Sequence, residues 1–326
     1  AQTPSVTRQH RDAGCGGLLT MTHTVAAIDC GTNSIRLLVA DLDADGRLHD
    51  RDRRMRIVRL GEAVDATGMI SEAALQRAFL ACDEFAEVID TFAATKVRFV
   101  ATSASRDAKN RQVFVDGVRA RLAVEPEVIP GEVEAALSFD GATSGLPSDA
   151  TAPFLVVDIG GGSTEFVLGR QAPQQSISVD MGCVRMTERF LADDPPTNDQ
   201  IRAATEFIDE LIDIAAQQVD LGAAQTLIGL AGSVTTVAAI ALDLPEYDPH
   251  RIHGARVSRA QVHAITEQLL AMTRTQRAAM PVMHEGRVDV IAGGAVILDR
   301  IMERVGLDEV LVSEHDILDG IARSLR

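Results

Sequence analysis

Two stretches of the chain repeat one order of apolar and polar positions. VAAIDCGTNSIRLLVADL, residues 25–42, and FLVVDIGGGSTEFVLGRQ, residues 154–171, each run as an apolar segment, an acidic residue, a short Gly/Ser/Asn turn and a second apolar segment. That order predicts a β-hairpin with its turn residues in the middle. Asp29 matches Asp158, Gly31 matches Gly160 and Ser34 matches Ser163, so two similar halves are expected. After the first hairpin, Leu75, Phe79, Cys82, Ala86 and Ile89 recur at helical spacing behind Ser71, a suitable N-cap. KVRFVATSA then reads as a strand, a helix follows to about Leu122, AVEPEVI reads as a strand, and another helix opens at Gly131. Such alternation builds α/β layers. GATSGLPSDATAP, residues 141–153, is the linker candidate, being rich in turn formers and poor in large apolar residues. Beyond the second hairpin the pattern predicts a helix from Asn198 to Val219, a strand and turn in TLIGLAGSVTTVAAIA, helices near 258–272 and 287–305, and a last strand in DEVLVSE. The expected organisation is a disordered extension over residues 1–20, a first lobe over 21–145 and a second over 146–326, with Met21 opening the patterned part.

Composition narrows the function classes. With 326 residues, 46% of them hydrophobic and 24% charged, the chain is an ordinary globular protein able to bury two cores without disulfides or a structural metal. The 31 basic residues face 47 acidic ones, a net charge of -16, which disfavours nonspecific attraction to nucleic acid or to an anionic membrane. Only Lys96 and Lys109 are lysines and no GxxxxGK[ST] loop is present, so phosphate chemistry must rest on arginine, backbone amides or a metal. Cys15, Cys30, Cys82 and Cys183 lie far apart in no zinc or disulfide spacing, which makes a reducing cytoplasm the default compartment. No run of 18 apolar residues occurs, and the first residues lack the apolar segment of a secretory signal.

DIGGGSTE, residues 158–165, carries the most chemistry. Three consecutive glycines let the backbone approach an anion and turn several amides toward it. Asp158 and Glu165 on either side would repel a bare phosphate, but make sense if a divalent cation such as Mg²⁺ bridges them to it. A tight hairpin with solvated ends would give the same letters; the matching turn at Asp29 to Ser34 favours two facing turns that clamp one phosphate chain. GLAGSVTTVAAI sets Gly232 and Ser233 at a helix start, which suits an anion and equally suits capping by serine. Arg106, after the strand at 96–104, can reach a phosphate if the hairpins lie nearby, and is otherwise a solvated cation. Glu132 and Glu134 fall in the first turn of a helix, where the dipole favours carboxylates with no catalytic role. Ser313, Glu314, His315 and Asp316 are adjacent in sequence and so lack the converging geometry of a hydrolase triad.

Taken in order, AAIDCGTNSIRLLVA, TSASRDAKN, PGEVEAALSFDGA, LVVDIGGGSTEFVLG, DMGCVRMTERF, GLAGSVTTVAAI, HGARVS, RVDVIAGGAVIL and VSEHDILDGI resemble the exopolyphosphatase and guanosine pentaphosphate phosphatase family of the actin, sugar kinase and Hsp70 superfamily, from about residue 25 to residue 321. The resemblance implies an α/β fold of two ribonuclease-H-like, actin-like ATPase lobes around a central cleft, and Mg²⁺-dependent attack of water on a terminal phosphoryl group. By the same resemblance Glu134 is the general base, Asp158 and Glu165 hold the metal and position the water, and Arg106 is a phosphate ligand. Asn33, Ser34, Gly160, Gly161, Gly162, Ser163, Thr164, Gly232 and Ser233 would supply loop contacts. Here Val133 stands between Glu132 and Glu134, where the family usually has adjacent glutamates. Longer members continue into a further helical region, so a chain closing after the second lobe is expected to suit short polyphosphate or the nucleotide. The expected function is release of orthophosphate from the end of inorganic polyphosphate; the alternatives are a guanosine pentaphosphate 5′-phosphohydrolase and a noncatalytic polyphosphate or alarmone sensor, and a homodimer stays open.

Overall fold

The structure is a computed structural model that describes residues 22–326; the extension expected over residues 1–20, Cys15 and Met21 lie outside the described residues. Both apolar repeats form hairpins. In the first, β1 (His23–Cys30) pairs antiparallel with β2 (Ser34–Leu42), and β3 (Leu48–Ile57) extends the meander. Strands β4 (Lys96–Ala101) and β5 (Glu127–Val128) add on the other side in parallel, in the order β3-β2-β1-β4-β5. The second half repeats this with β6 (Phe154–Ile159), β7 (Thr164–Gly169), β8 (Pro173–Val179), β9 (Thr226–Leu230), β10 (Arg256–Ser258) and β11 (Glu309–Val312), in the order β10-β11-β9-β6-β7-β8. Each sheet is thus an antiparallel meander followed by parallel strands, with β10 added antiparallel at the edge of the second, and the chain is an α/β protein of two like lobes.

The central strands read as unbroken apolar runs because both faces of each sheet are covered. Alternation along β1 sends Ala26, Ile28 and Cys30 into a core with helices Glu72–Thr91 and Arg111–Leu122, where Phe85, Phe99 and Phe114 are fully buried. Ser71 caps the first of these helices, its hydroxyl accepting from the Ala74 amide at 3.2 Å. In the second lobe Leu155, Val157 and Ile159 pack against helices Asn198–Ala216, Ala231–Ala241, Arg259–Ala271 and Ile291–Val305.

The opposite faces are covered by an exchange. Helix Gly131–Thr143, from the first half of the chain, lays Ala135, Phe139 and Ala142 on Val156, Val167, Ile228 and Leu230 of the second sheet. Helix Ile317–Arg323, from the end of the chain, lays Ile317, Leu318, Ile321 and Ala322 on Val25, Ala27, Leu38 and Ala40 of the first. The two helices cross in contact: a Cβ on Gly141 would stand 1.8 Å from the Asp316 carbonyl oxygen, and one on Gly320 2.0 Å from that of Leu137, so only glycine fits at either position.

Three differences from the pattern reading have physical reasons. β3 and β8 did not register as strands because each is the outer strand of its sheet, and their sequences, LHDRDRRMRI and PQQSISV, are polar on the faces and edge that meet water. The AVEPEVI strand shrinks to Glu127–Val128. Residues 141–143 of the linker candidate continue the preceding helix, and turns occupy 144–153.

Candidate active site

A cleft open to solvent runs between the lobes. Its floor follows from strand alternation. Asp29 continues the Val25–Ala27 face of β1, the face covered by helix Ile317–Arg323, and Asp158 continues the Val156 face of β6, covered by helix Gly131–Thr143. Register then builds a row in each lobe: Asp29 opposite Arg36 opposite Met55 in the first, Asp158 opposite Glu165 opposite Ser178 in the second. The duplicated framework carries an arginine in one lobe where the other carries a glutamate.

Arg36 ties the first row together. It donates to Asp29 Oδ2 through Nη2 at 2.6 Å and Nε at 3.0 Å, and through Nη1 to Asp316, the N-cap of the last helix. In the second row the Ser138 hydroxyl, one turn beyond Glu134 on the same helix, donates to Asp158 Oδ2 at 2.7 Å, and the Ser178 hydroxyl donates to Glu165 Oε1 at 2.7 Å. Glu134 hangs over this row, 8% exposed, accepting from Arg106 Nη1 at 2.6 Å. Burial pushes the Glu134 carboxyl above its usual range against the pull of Arg106, and raises Asp158 and Glu165 likewise, with carboxylates nearby adding to each rise. Among groups of this kind, raised pKa values mark places where negative charge is waiting to be compensated.

The two hairpin turns face each other in contact. Each closes with the same hydrogen bond, Gly31 N to Ser34 O and Gly160 N to Ser163 O, both 3.0 Å. Cβ atoms on Gly161 and Gly162 would stand 2.8 Å from Thr32 Cβ and 2.7 Å from Ser103 Oγ, so the glycines let one turn seat on the other. Gly232 and Ser233 begin helix Ala231–Ala241, whose start no side chain caps and which lines the cleft.

Of the expected site residues, Asn33, Ser34, Glu134, Asp158, Gly160, Gly161, Ser163, Gly232 and Ser233 line the cleft. Four do not. Gly162 faces Thr32 and Ser103 behind the turn, and the Thr164 hydroxyl donates to the Met181 carbonyl inside the sheet. Arg106 is held on Glu134 and the Ile129 carbonyl, and Glu165, 1% exposed, lies behind Asp158. Arg36 and Arg287 line the cleft without having been singled out. Arg36 had a signal, since the seven-residue spacing from Asp29 places the two opposite one another in a hairpin. Arg287 had none: it comes from a distant turn, donates to Gly232 O at 3.1 Å and Thr236 Oγ1 at 2.8 Å, and lies 5.7 Å from the Tyr247 ring centre.

Among the side chains lining the cleft, Asp29, Glu134 and Asp158 outnumber Arg36 and Arg287, so a polyanion would need a cation to enter beside them. Among the described residues no three or more His, Cys, Asp or Glu side chains converge on a metal position. The donor set is all oxygen and incomplete, which suits a hard cation that keeps waters and takes ligands from a substrate phosphate.

The sequence model of the Ppx/GppA phosphatase family matches residues 38–325. Exopolyphosphatase 2 of Mycobacterium tuberculosis is 50% identical over 313 residues, covering 92% of this chain and 98% of that protein. The crystal structure of an exopolyphosphatase-like protein superposes with a TM-score of 0.90 at 47% identity over 93% of this chain and 98% of that one. The Aquifex aeolicus PPX-GPPA enzyme superposes at 0.77 with 31% identity, over 93% of this chain and all of that one, 100%. With two like lobes, facing glycine turns and a carboxylate row between them, and with a match that spans nearly the whole of both chains, this protein belongs to the Ppx/GppA phosphatase family.

Proposed function

We propose that this protein is an exopolyphosphatase that hydrolyses the terminal phosphoanhydride bond of inorganic polyphosphate and releases orthophosphate. The observation that carries the reading is Glu134, a buried carboxylate above the Asp158–Glu165 row and beside the two facing turns. The name of the M. tuberculosis relative points the same way. Phosphoryl transfer asks mainly for positioning and charge neutralisation. The amides of the Gly31–Ser34 and Gly160–Ser163 turns and of Gly232–Ser233 grip the terminal phosphate. Glu134 takes the proton from a water as its oxygen bonds to phosphorus; the bridging P–O bond breaks and the shortened chain leaves with that electron pair. Asp158, with Glu165 behind it, would hold Mg²⁺, which would supply the charge neutralisation that Arg36 and Arg287 alone do not. Arg106 opposes the rise that burial imposes on Glu134 and so favours its ionised form.

A second reading, guanosine pentaphosphate 5′-phosphohydrolase, draws on one observation: a pocket lined by Met55, Tyr247, Val282, Met283, His284 and Arg287 adjoins the cleft and would take a planar apolar group at the far end of a phosphate chain. The free, buried Cys30, Cys82 and Cys183 fit a reducing compartment such as the cytoplasm; among the described residues no helix is long and apolar enough to cross a membrane. Orthophosphate release with Mg²⁺ from short polyphosphate, long polyphosphate and guanosine pentaphosphate, with Glu134→Gln as the blank, tests the reading. Turnover of polyphosphate that vanishes in the blank supports it, cleavage of the nucleotide alone transfers the assignment to the second reading, and binding without turnover makes the protein a sensor.

A further inference from the structure

We propose that Ser178 is a positioning residue for this hydrolysis, fixing the Glu165 carboxylate in its place under Asp158 and Glu134. The inference rests on the exopolyphosphatase reading for its consequence in turnover, and on geometry for its substance. β8 is the outer strand of the second sheet, and its first residues are exposed polar ones. Ser178 departs from that role: register sets it directly opposite Glu165, on the face covered by helix Gly131–Thr143. Its hydroxyl donates to Glu165 Oε1 at 2.7 Å.

What reaches Glu165 is hydroxyl rather than cation. Ser178 donates to it, while Glu134 from the helix above and Asp158 from β6 place negative charge beside it. A carboxylate so surrounded and 1% exposed depends on its hydrogen bonds for orientation and for charge. The same serine also touches the helix that carries Glu134. A Cβ on Gly131, the first residue of that helix, would stand 2.4 Å from Ser178 Cβ and 2.9 Å from its Oγ. Ser178 therefore wedges between the strand bearing Glu165 and the helix start bearing Glu134, and sets the distance between the two carboxylates.

Ser178→Ala removes the hydroxyl and adds nothing, so the fold tolerates it. With short polyphosphate and Mg²⁺, kcat is expected to fall roughly tenfold or more with KM little changed, the loss of one hydrogen bond to a charged group. Ser178→Thr, which keeps the hydroxyl, is expected to retain most of the wild-type kcat. At one fixed pH, the ¹³C resonance of the Glu165 carboxyl is expected to shift in Ser178→Ala and to stay near its wild-type position in Ser178→Thr. Gly131→Ala, which crowds the same hydroxyl from the helix side, is expected to lower kcat in the same way. Wild-type kcat in Ser178→Ala, together with an unmoved Glu165 resonance, would overturn the proposal. Absence of orthophosphate release by the wild type would instead sink the exopolyphosphatase reading, and the NMR comparison would still decide whether Ser178 holds Glu165.

Discussion

Glu134, on the wall of the cleft, and Arg106, behind it, form one hydrogen-bonded ion pair, 2.6 Å from Nη1 to Oε2. Burial raises the Glu134 carboxyl and Arg106 opposes that rise. A general base works only when ionised, so removing the guanidinium should make it ionise later. Arg106→Ala is expected to shift the acidic limb of orthophosphate release to higher pH, whereas Glu134→Gln is expected to lose about 10²–10⁴-fold at all pH values. An Arg106→Ala profile that superposes on the wild type would exclude the pair from catalysis.

Glu165 gives a stability signature. Its pKa in the folded protein is raised, chiefly by burial and then by Glu134 and Asp158. Between the unfolded and the folded value the native state holds the proton that the unfolded state has lost, so stability falls as pH rises through that window and the deficit persists above it. Glu165→Gln, neutral at every pH, is expected to raise the stability of the metal-free protein at pH 8 and to bring no gain near pH 4. Urea unfolding at the two pH values measures it; equal effects at both would contradict the assignment.

Metal dependence is expected to be absolute for turnover and visible without substrate. EDTA should abolish orthophosphate release and Mg²⁺ restore it. In differential scanning fluorimetry, Mg²⁺ should raise Tm more at pH 8, where Asp158 and Glu165 would otherwise carry unfavourable charge, than at pH 5. Full activity in EDTA would remove the cation from the mechanism.

The helix crossing tolerates no side chain. Gly141→Ala places a Cβ 1.8 Å from the Asp316 carbonyl oxygen, a backbone atom that cannot swing aside. A loss of at least about 1–3 kcal/mol is expected, read from urea unfolding, together with weakened activity because Asp316 anchors Arg36. An unchanged midpoint would mean that the two helices are not in contact in solution.

Much of this was legible in the chain. The repeated apolar-acid-turn-apolar segments carried the two lobes, because a buried hairpin writes both its strands and its turn into local sequence. Local sequence was silent on the outer strands β3 and β8, which meet water. It was equally silent on the exchange of helices, since nothing local in ILDGIAR says which sheet its apolar face will find. The cleft followed the same division. Glu134 looked like a helix-start carboxylate on its own spacing and acquired a role only through resemblance, while its meeting with Arg106 depends on a turn 28 residues away. Arg287 reaches the cleft from 55 residues beyond Gly232, a separation no pattern reports.

The helix exchange imposes an order on synthesis. Until residues 317–323 have left the ribosome, Val25, Ala27, Leu38 and Ala40 lack the apolar cover they have in the finished fold, and Arg36 lacks Asp316. The second lobe's row of Asp158, Glu165 and Ser178 is translated long before, yet it faces a partner lobe that is still unfinished. The first sheet is therefore covered on both faces, and Arg36 anchored, only once residues 317–323 have been made.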